Sequence, residues 1–140
     1  RLANTMDSIV GYKDEKHVNV GWFSAKLDTL LNFLPARLTG PLILAASWLL
    51  RKDWRLAKRV LLRDWRRPSS PNSGWPMAAV AGALKVRLEK PGHYVLGEGL
   101  PPPKLKDIPA ALKLLGLTSL LFILLVAIPL AFLSNLLIWE

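Results

Sequence analysis

Three short stretches of this 140-residue chain carry residue types suited to chemistry on phosphates or carboxylates. In the first, "RLANTMDSIVGYKDE", a helix would set Asn4, Asp7, Ser8 and Gly11 on one face, with Leu2, Met6, Ile9 and Val10 as apolar flanks. Such a stripe is a poor surface for lipid. It suits a magnesium ion, which takes one or two carboxylates together with phosphate oxygens and water, or a hydrogen-bonded substrate. A helix whose polar side faces water explains the stripe too, and residue types alone favour that plainer reading. In the second stretch, "SAKLDTLLNFLPAR", Asp28 and Asn32 are four apart and therefore neighbours on a helical face, shortly before Pro35 and Arg37. Capping and packing at a membrane boundary is their plain role. In the third, "PSSPNSGWPMAAVAGALKVRL", Pro76 suits the first turn of a helix, which predicts a helix from near Trp75 through Leu88. The preceding "SSPNSG" supplies hydroxyls, backbone N–H groups and a glycine. A phosphate held at the helix N-terminus and a plain structural turn are both consistent with it. Arg63, Arg66 and Arg67 stand a turn or two upstream. Neither Gly-x-x-x-x-Gly-Lys-Ser/Thr nor Gly-x-Gly-x-x-Gly occurs.

The elements that must position these residues are read from hydropathy and charge. Leu114 to Trp139 carries no charge, and about 20 apolar residues suffice to cross a bilayer, so this run is expected to be a transmembrane helix. Asp107 is placed as its N-cap, Pro109 in its first turn, and Pro129 as a kink. A second apolar segment is shorter, its uncharged part Leu38–Leu50 having 13 residues. Started at Pro35, with Arg37 in the first turn, it reaches Lys52 and can just cross; broken at Gly40-Pro41, it becomes a re-entrant pair of half-helices. The loop from Arg51 to Lys113 opens with eight Lys/Arg against two Asp in "RKDWRLAKRVLLRDWRR", which puts it on the cytoplasmic side. Leu56, Val60 and Leu61 recur at helical spacing there. They predict either a basic amphipathic helix lying on headgroups or a solvated charged face. The small residues Ala78, Ala79, Ala81, Gly82 and Ala83 allow close helix packing, and "GEGLPPPK" reads as a stiff linker into the last helix.

Composition agrees with that layout. The chain is 51% hydrophobic yet carries a net charge of +9, a combination natural to a membrane protein with a basic loop. It has no Cys, which excludes disulfides, thiolate metal sites and cysteine nucleophiles. His17 and His93 lack ligand spacing, and no nucleic-acid recognition motif accompanies the charge, so no nucleic-acid partner is expected. The chain starts at Arg1 and reads as a piece of a longer protein. The expected fold is therefore an all-α integral membrane protein, a fragment of a helical bundle. It would form one membrane domain of four parts: a polar motif (1–26), an apolar segment (27–52), a basic helical cytoplasmic loop (53–106) and a transmembrane helix (107–140).

In this order and spacing, "RLANTMDSIVGYK", "AKLDTLLNFLPARLT" and "SPNSGWPMAAVAGALKVRL" resemble the CobD/CbiB family, the integral membrane adenosylcobinamide-phosphate synthases of cobalamin biosynthesis. The likeness runs from Arg1 to about Gly97. It departs at Ser73, where alanine is expected, and in the charged "GYKDEKH". It implies the C-terminal half of a multi-pass protein of the cell membrane, working with a missing N-terminal half or other subunits. It implies a carbon–nitrogen ligase that uses ATP and Mg²⁺ to join adenosylcobyric acid to aminopropanol phosphate, or to aminopropanol itself. Its partners are then corrinoid and amino alcohol phosphate substrates and the lipid bilayer. The roles implied are Asn4 and Asp7 for ATP or Mg²⁺, and Lys13, Arg37 and Arg63 for phosphate charge. Ser70, Asn72, Gly74 and the amides around Trp75 would cradle a phosphate, while the Trp75 ring stacks on nucleotide or corrin. Asp28 would orient Arg37 or take a proton from the amine, and Asp7, Asp28, Arg37 and Asn72 form the expected catalytic set. The competing reading is a non-catalytic membrane module that holds corrinoid, anionic lipid or a partner subunit. One conflict stands: if residues 35–52 cross the membrane, the N-terminal motif lies on the opposite side from the Ser-Pro-Asn loop. Either the segment is re-entrant, which is the preferred resolution, or the N-terminal motif belongs to the bundle interior.

Overall fold

The computed structural model describes residues 26–138. Asn4, Asp7, Ser8 and Lys13, with the expectation of a magnesium ligand at Asp7, lie outside the described residues.

Among the described residues, five α-helices and one hairpin build the fold. Helix α1, Phe33–Leu49, continues a helical lead-in from Lys26, giving 24 apolar-rich residues from Lys26 to Leu49. It passes through Gly40-Pro41 without a break, so the pair of half-helices is not formed. Pro41 has no N–H to give the carbonyl of Arg37, yet the flanking hydrogen bonds and the packing of Gly40, Ile43, Ala46 and Ser47 keep the helix intact. After a tight turn, α2, Trp54–Asp64, starts at Asp53, whose carboxylate accepts the Leu56 N–H at 3.0 Å and thereby satisfies an orphan donor of the first turn. The buried side of α2 is Ala57, Val60 and Leu61, and it lies against α3. The expected apolar stripe is therefore real, but a protein helix covers it and headgroups do not.

Helix α3, Gly74–Leu84, begins where Pro76 placed it and buries Ala78, Ala79, Ala81, Gly82 and Ala83. A Cβ on Gly82 would stand 2.5 Å from the Ala57 Cα, so the two backbones meet where no side chain fits. This helix stops four residues before the expected end. Lys85 takes the left-handed conformation (φ 57°), the Val86 N–H returns to the Ala81 carbonyl at 3.0 Å, and the chain turns. Glycine usually occupies that position, and its absence hid the stop.

An antiparallel hairpin follows, β1 Leu88–Lys90 and β2 Tyr94–Leu96, with Glu89 opposite Val95. It corrects the all-α expectation. Its turn is Pro91-Gly92, with Gly92 at φ 72° and the His93 N–H bonded to the Lys90 carbonyl at 3.0 Å, as a type II turn requires. The segment read as a stiff linker, Gly97 to Lys104, leads into the last helix and is held along the way: the Arg87 N–H bonds the Pro101 carbonyl at 2.7 Å, and Gly97 is buried.

A 3₁₀ turn, Leu105–Asp107, leads into α4, Ile108–Phe122, with Pro109 in the first turn as expected. The Asp107 carboxylate caps this 3₁₀ turn, accepting the Lys104 N–H at 2.8 Å. A π-helical turn, Ile123–Ala127, separates α4 from α5, Ile128–Ile138, and sits directly before Pro129. The core lies where α1, α2, α3 and the start of α4 meet, around Ile43, Ala46, Leu61, Leu96 and Leu114. Beyond Thr118 the long helix leaves that core and exposes Leu120, Ile123, Leu124, Leu125, Ile128, Leu130, Phe132 and Leu133. Two helices, Lys26–Leu49 and Leu105–Asn135, are long and apolar enough to cross a membrane.

Candidate functional site

Arg37 and Asn72 lie 35 positions apart, and the fold brings their side chains into contact: an Arg37 guanidinium N–H donates to the Asn72 Oδ1. Asn72 is 8% exposed, and its Nδ2 donates to the Thr29 carbonyl at 2.8 Å. The amide is thus held at both ends and presents a fixed acceptor to the arginine. The guanidinium carbon lies 3.8 Å from the centre of the Phe33 ring, one helical turn earlier, and 5.7 Å from that of Trp75. Trp75 rests on α1 because residue 40 is glycine; a Cβ there would stand 3.0 Å from its ring. The Trp65 ring backs it at 5.3 Å between centroids. The Trp75 indole N–H is buried and has no hydrogen-bond partner among the described residues.

Asparagine spends one acceptor on one Arg37 nitrogen, and among the described residues no hydrogen bond engages the other donors of the guanidinium, which is half-buried. A pinned guanidinium with free donors, flanked by aromatic faces, suits a phosphate or carboxylate oxygen. It does not suit a metal cation, which it would repel. Among the described residues no three His, Asp or Glu side chains converge for a metal. Thr39, Ile43, Pro76, Val80, Leu115 and Thr118 line an apolar cavity of about 340 Å³ beside this junction, between α1, α3 and α4.

The other expected residues divide. Asp28 accepts from Asn32 Nδ2 at 2.8 Å, the neighbour pair read from the spacing, and its bond is to that amide rather than to Arg37. Ser70 is exposed, and its carbonyl takes the Ser73 hydroxyl at 3.2 Å. Gly74 is glycine for the chain's own sake: a Cβ would fall 1.8 Å from the Trp65 carbonyl oxygen.

Arg63 is turned away from the junction. Its Nε and terminal nitrogen donate to Asp64 at 2.8 and 2.9 Å. Asp64 is no part of the expected site, yet it is the residue that Arg63 serves. Fully buried, it also accepts the Gly97 N–H at 2.8 Å and pairs with the Arg67 Nε at 3.1 Å. Arg67 reaches on to the Val95 carbonyl and Glu98, both at 2.9 Å, so this one carboxylate ties the end of α2 to the hairpin. Burial alone would raise the Asp64 pKa. The hydrogen bonds from Arg63 and Gly97 and the charges of Arg63 and Arg67 outweigh it and hold the carboxyl below the usual range. Arg63 is correspondingly raised, first by its bond to Asp64. The sequence signal was present, a lone Asp inside a run of arginines, but nothing there said that it would be buried.

The sequence model of the CobD/Cbib protein family matches residues 1–117. A protein of Methanothermobacter thermautotrophicus named probable cobalamin biosynthesis protein CobD is 54% identical over 125 residues, covering 87% of this chain and 41% of that protein. The cobalamin biosynthesis protein CobD of Yersinia enterocolitica is 44% identical over 137 residues, covering 91% of this chain and 43% of its own length. That of Geobacter metallireducens is 48% identical over 107 residues. The chain therefore spans about two-fifths of the length of the first two relatives. No solved structure matches it.

Proposed function

The chain belongs to the CobD/Cbib protein family, and from that membership we propose that it forms part of a membrane-bound amide ligase of cobalamin biosynthesis. The observation that carries the reading is the Arg37–Asn72 contact, which unites two of the sequence motifs at one anion-seeking point. In the proposed reaction a side-chain carboxylate of adenosylcobyric acid attacks the terminal phosphorus of ATP, giving an acyl phosphate and ADP. The amine of aminopropanol phosphate then attacks the acyl carbon, loses a proton, and expels inorganic phosphate. Negative charge accumulates on phosphoryl oxygens in the first step and on the acyl oxygen in the second. Arg37, its orientation fixed by Asn72, is assigned to that charge, and the Trp75 ring to one wall of the substrate site. The proposed roles of Asn4, Asp7 and Lys13 toward ATP require that Lys26–Leu49, unbroken at Gly40-Pro41, does not cross the membrane between them and the Ser-Pro-Asn loop. Magnesium would neutralise phosphate charge.

The same proposal places Leu105–Asn135 across the membrane, supported by its length and by the bare apolar surface beyond Thr118. The Arg51–Lys113 region is then cytoplasmic, on the side where ATP is found. The test uses the full-length protein in nanodiscs with adenosylcobyric acid, Mg-ATP and aminopropanol phosphate, with the product followed by mass. Product from the parent and at least about a hundredfold loss in Asn72→Ala supports the ligase, the size expected when Arg37, the donor to developing charge, loses the preorganisation that Asn72 gives it. A folded parent that binds corrinoid and yields no product returns the protein to the binding-module reading.

A further inference from the structure

The end of α1 and the start of α4 enclose a second cavity, of about 410 Å³, lined by Leu50, Lys52, Lys106, Pro109, Ala110 and Lys113. Three lysines are among the residues that line it, and no Asp or Glu is. The acidic neighbours along the chain are engaged elsewhere. Asp53, next to Lys52, pairs with Lys85 at 3.2 Å and accepts the Leu56 N–H, while Asp107, next to Lys106, accepts the Lys104 N–H. Among the described residues, no hydrogen bond or ion pair engages the side chains of Lys52, Lys106 or Lys113. Their positions are not accidental to a floppy loop. The Lys52 N–H is bonded to the Ser47 carbonyl at 2.7 Å, and the other two lie on a continuous helical stretch. Like charges gathered around one hollow repel each other, and an anion with several oxygens relieves that repulsion.

We propose that this cavity binds a phosphate ester, with Lys52, Lys106 and Lys113 as its donors. A phosphate offers oxygens for three ammonium groups, and lysine suits it as a compact point charge. The wall of Leu50, Pro109 and Ala110 accommodates the carbon skeleton attached to the phosphate. Two sources share that chemistry. An anionic lipid headgroup is one, since α4, the helix that carries Lys113, becomes uncharged from Leu114 onward and has Leu112 and Leu115 exposed. A water-soluble phosphate ester is the other. The proposal stands apart from the ligase reading, because neither arm of its test measures amide formation.

The full-length protein, with and without Lys52→Gln, Lys106→Gln and Lys113→Gln together, is reconstituted in nanodiscs of phosphatidylcholine alone or with phosphatidylglycerol added. Lipid retained on release from the discs is read by native mass spectrometry. Glycerol 3-phosphate binding in the phosphatidylcholine discs is read by calorimetry. Retention of phosphatidylglycerol that falls at least about tenfold in the triple variant, equivalent to about 1.4 kcal/mol, assigns the site to lipid. Glycerol 3-phosphate binding with the same loss assigns it to a soluble ester. Absence of both, or binding by the parent that the triple variant leaves unchanged with no loss in the other arm, overturns the proposal. All three lysines are exposed, so the variant should keep the parent's circular dichroism and melting temperature, and Lys106→Gln alone should give a partial loss.

Discussion

Replacing Asp64 with asparagine keeps the shape of the side chain and removes its charge. In the native fold the carboxylate is completely buried and takes four contacts between 2.8 and 3.1 Å, from Arg63, Arg67 and the Gly97 N–H. Removing one partner of a buried ion pair costs about 3–5 kcal/mol when the other charge is stranded. Here the arginines are 49% and 35% exposed and can turn to water, while the asparagine oxygen still accepts one N–H. The expected loss is therefore smaller, about 2–3 kcal/mol at neutral pH. The pH dependence fixes the cause. The folded Asp64 pKa lies below its unfolded value, so its stabilisation is complete above the unfolded pKa and is lost as pH falls through the folded one. Below about pH 4 the gap between parent and variant should close by roughly 1.4 kcal/mol per pH unit until the folded carboxyl protonates. Denaturant unfolding in detergent, read by tryptophan fluorescence at several pH values, measures the gap. A variant within about 0.5 kcal/mol of the parent at pH 7, or a gap that stays constant from pH 5 to pH 3, refutes this account.

Gly82→Ala should destabilise by about 1–3 kcal/mol, because its methyl group meets the Ala57 backbone and forces α2 and α3 apart; thermal unfolding in detergent reads it. Glu98→Gln removes the outer partner of Arg67, 66% exposed, and should change stability by less than about 0.5 kcal/mol in the same assay. The contrast with Asp64→Asn separates a buried charge from an exposed one on the same arginine.

How much of this could be read beforehand follows from which interactions are local. The start of α3 at Pro76 and the Asp28–Asn32 pair depend on neighbours within a turn, and the small residues of α3 announce close packing by their size alone; each is legible. The end of α3 was not, since Lys85 adopts a conformation that its own side chain disfavours and that tertiary packing imposes. The hairpin was missed although Pro91-Gly92 announced a turn, because strands of three residues are too short for an alternating pattern to register. The stripe on α2 was seen correctly and given the wrong partner, as periodicity says that a face is covered and not by what. At the candidate site, Arg37, Asn72 and Trp75 are each singled out by sequence, but their convergence and the burial of Asp64 rest on contacts across 28 to 43 positions.

The central claim is that Arg37 and Asn72 act as one unit on the reacting phosphate or acyl oxygen. A double-mutant cycle tests it directly, with kcat/KM for amide formation measured for the full-length parent, Arg37→Ala, Asn72→Ala and the pair. If Asn72 works by aiming Arg37, the double variant should be scarcely worse than Arg37→Ala, with a coupling of at least about 1 kcal/mol. Losses that simply add would contradict the claim, and full activity in both single variants would remove the junction from the active site.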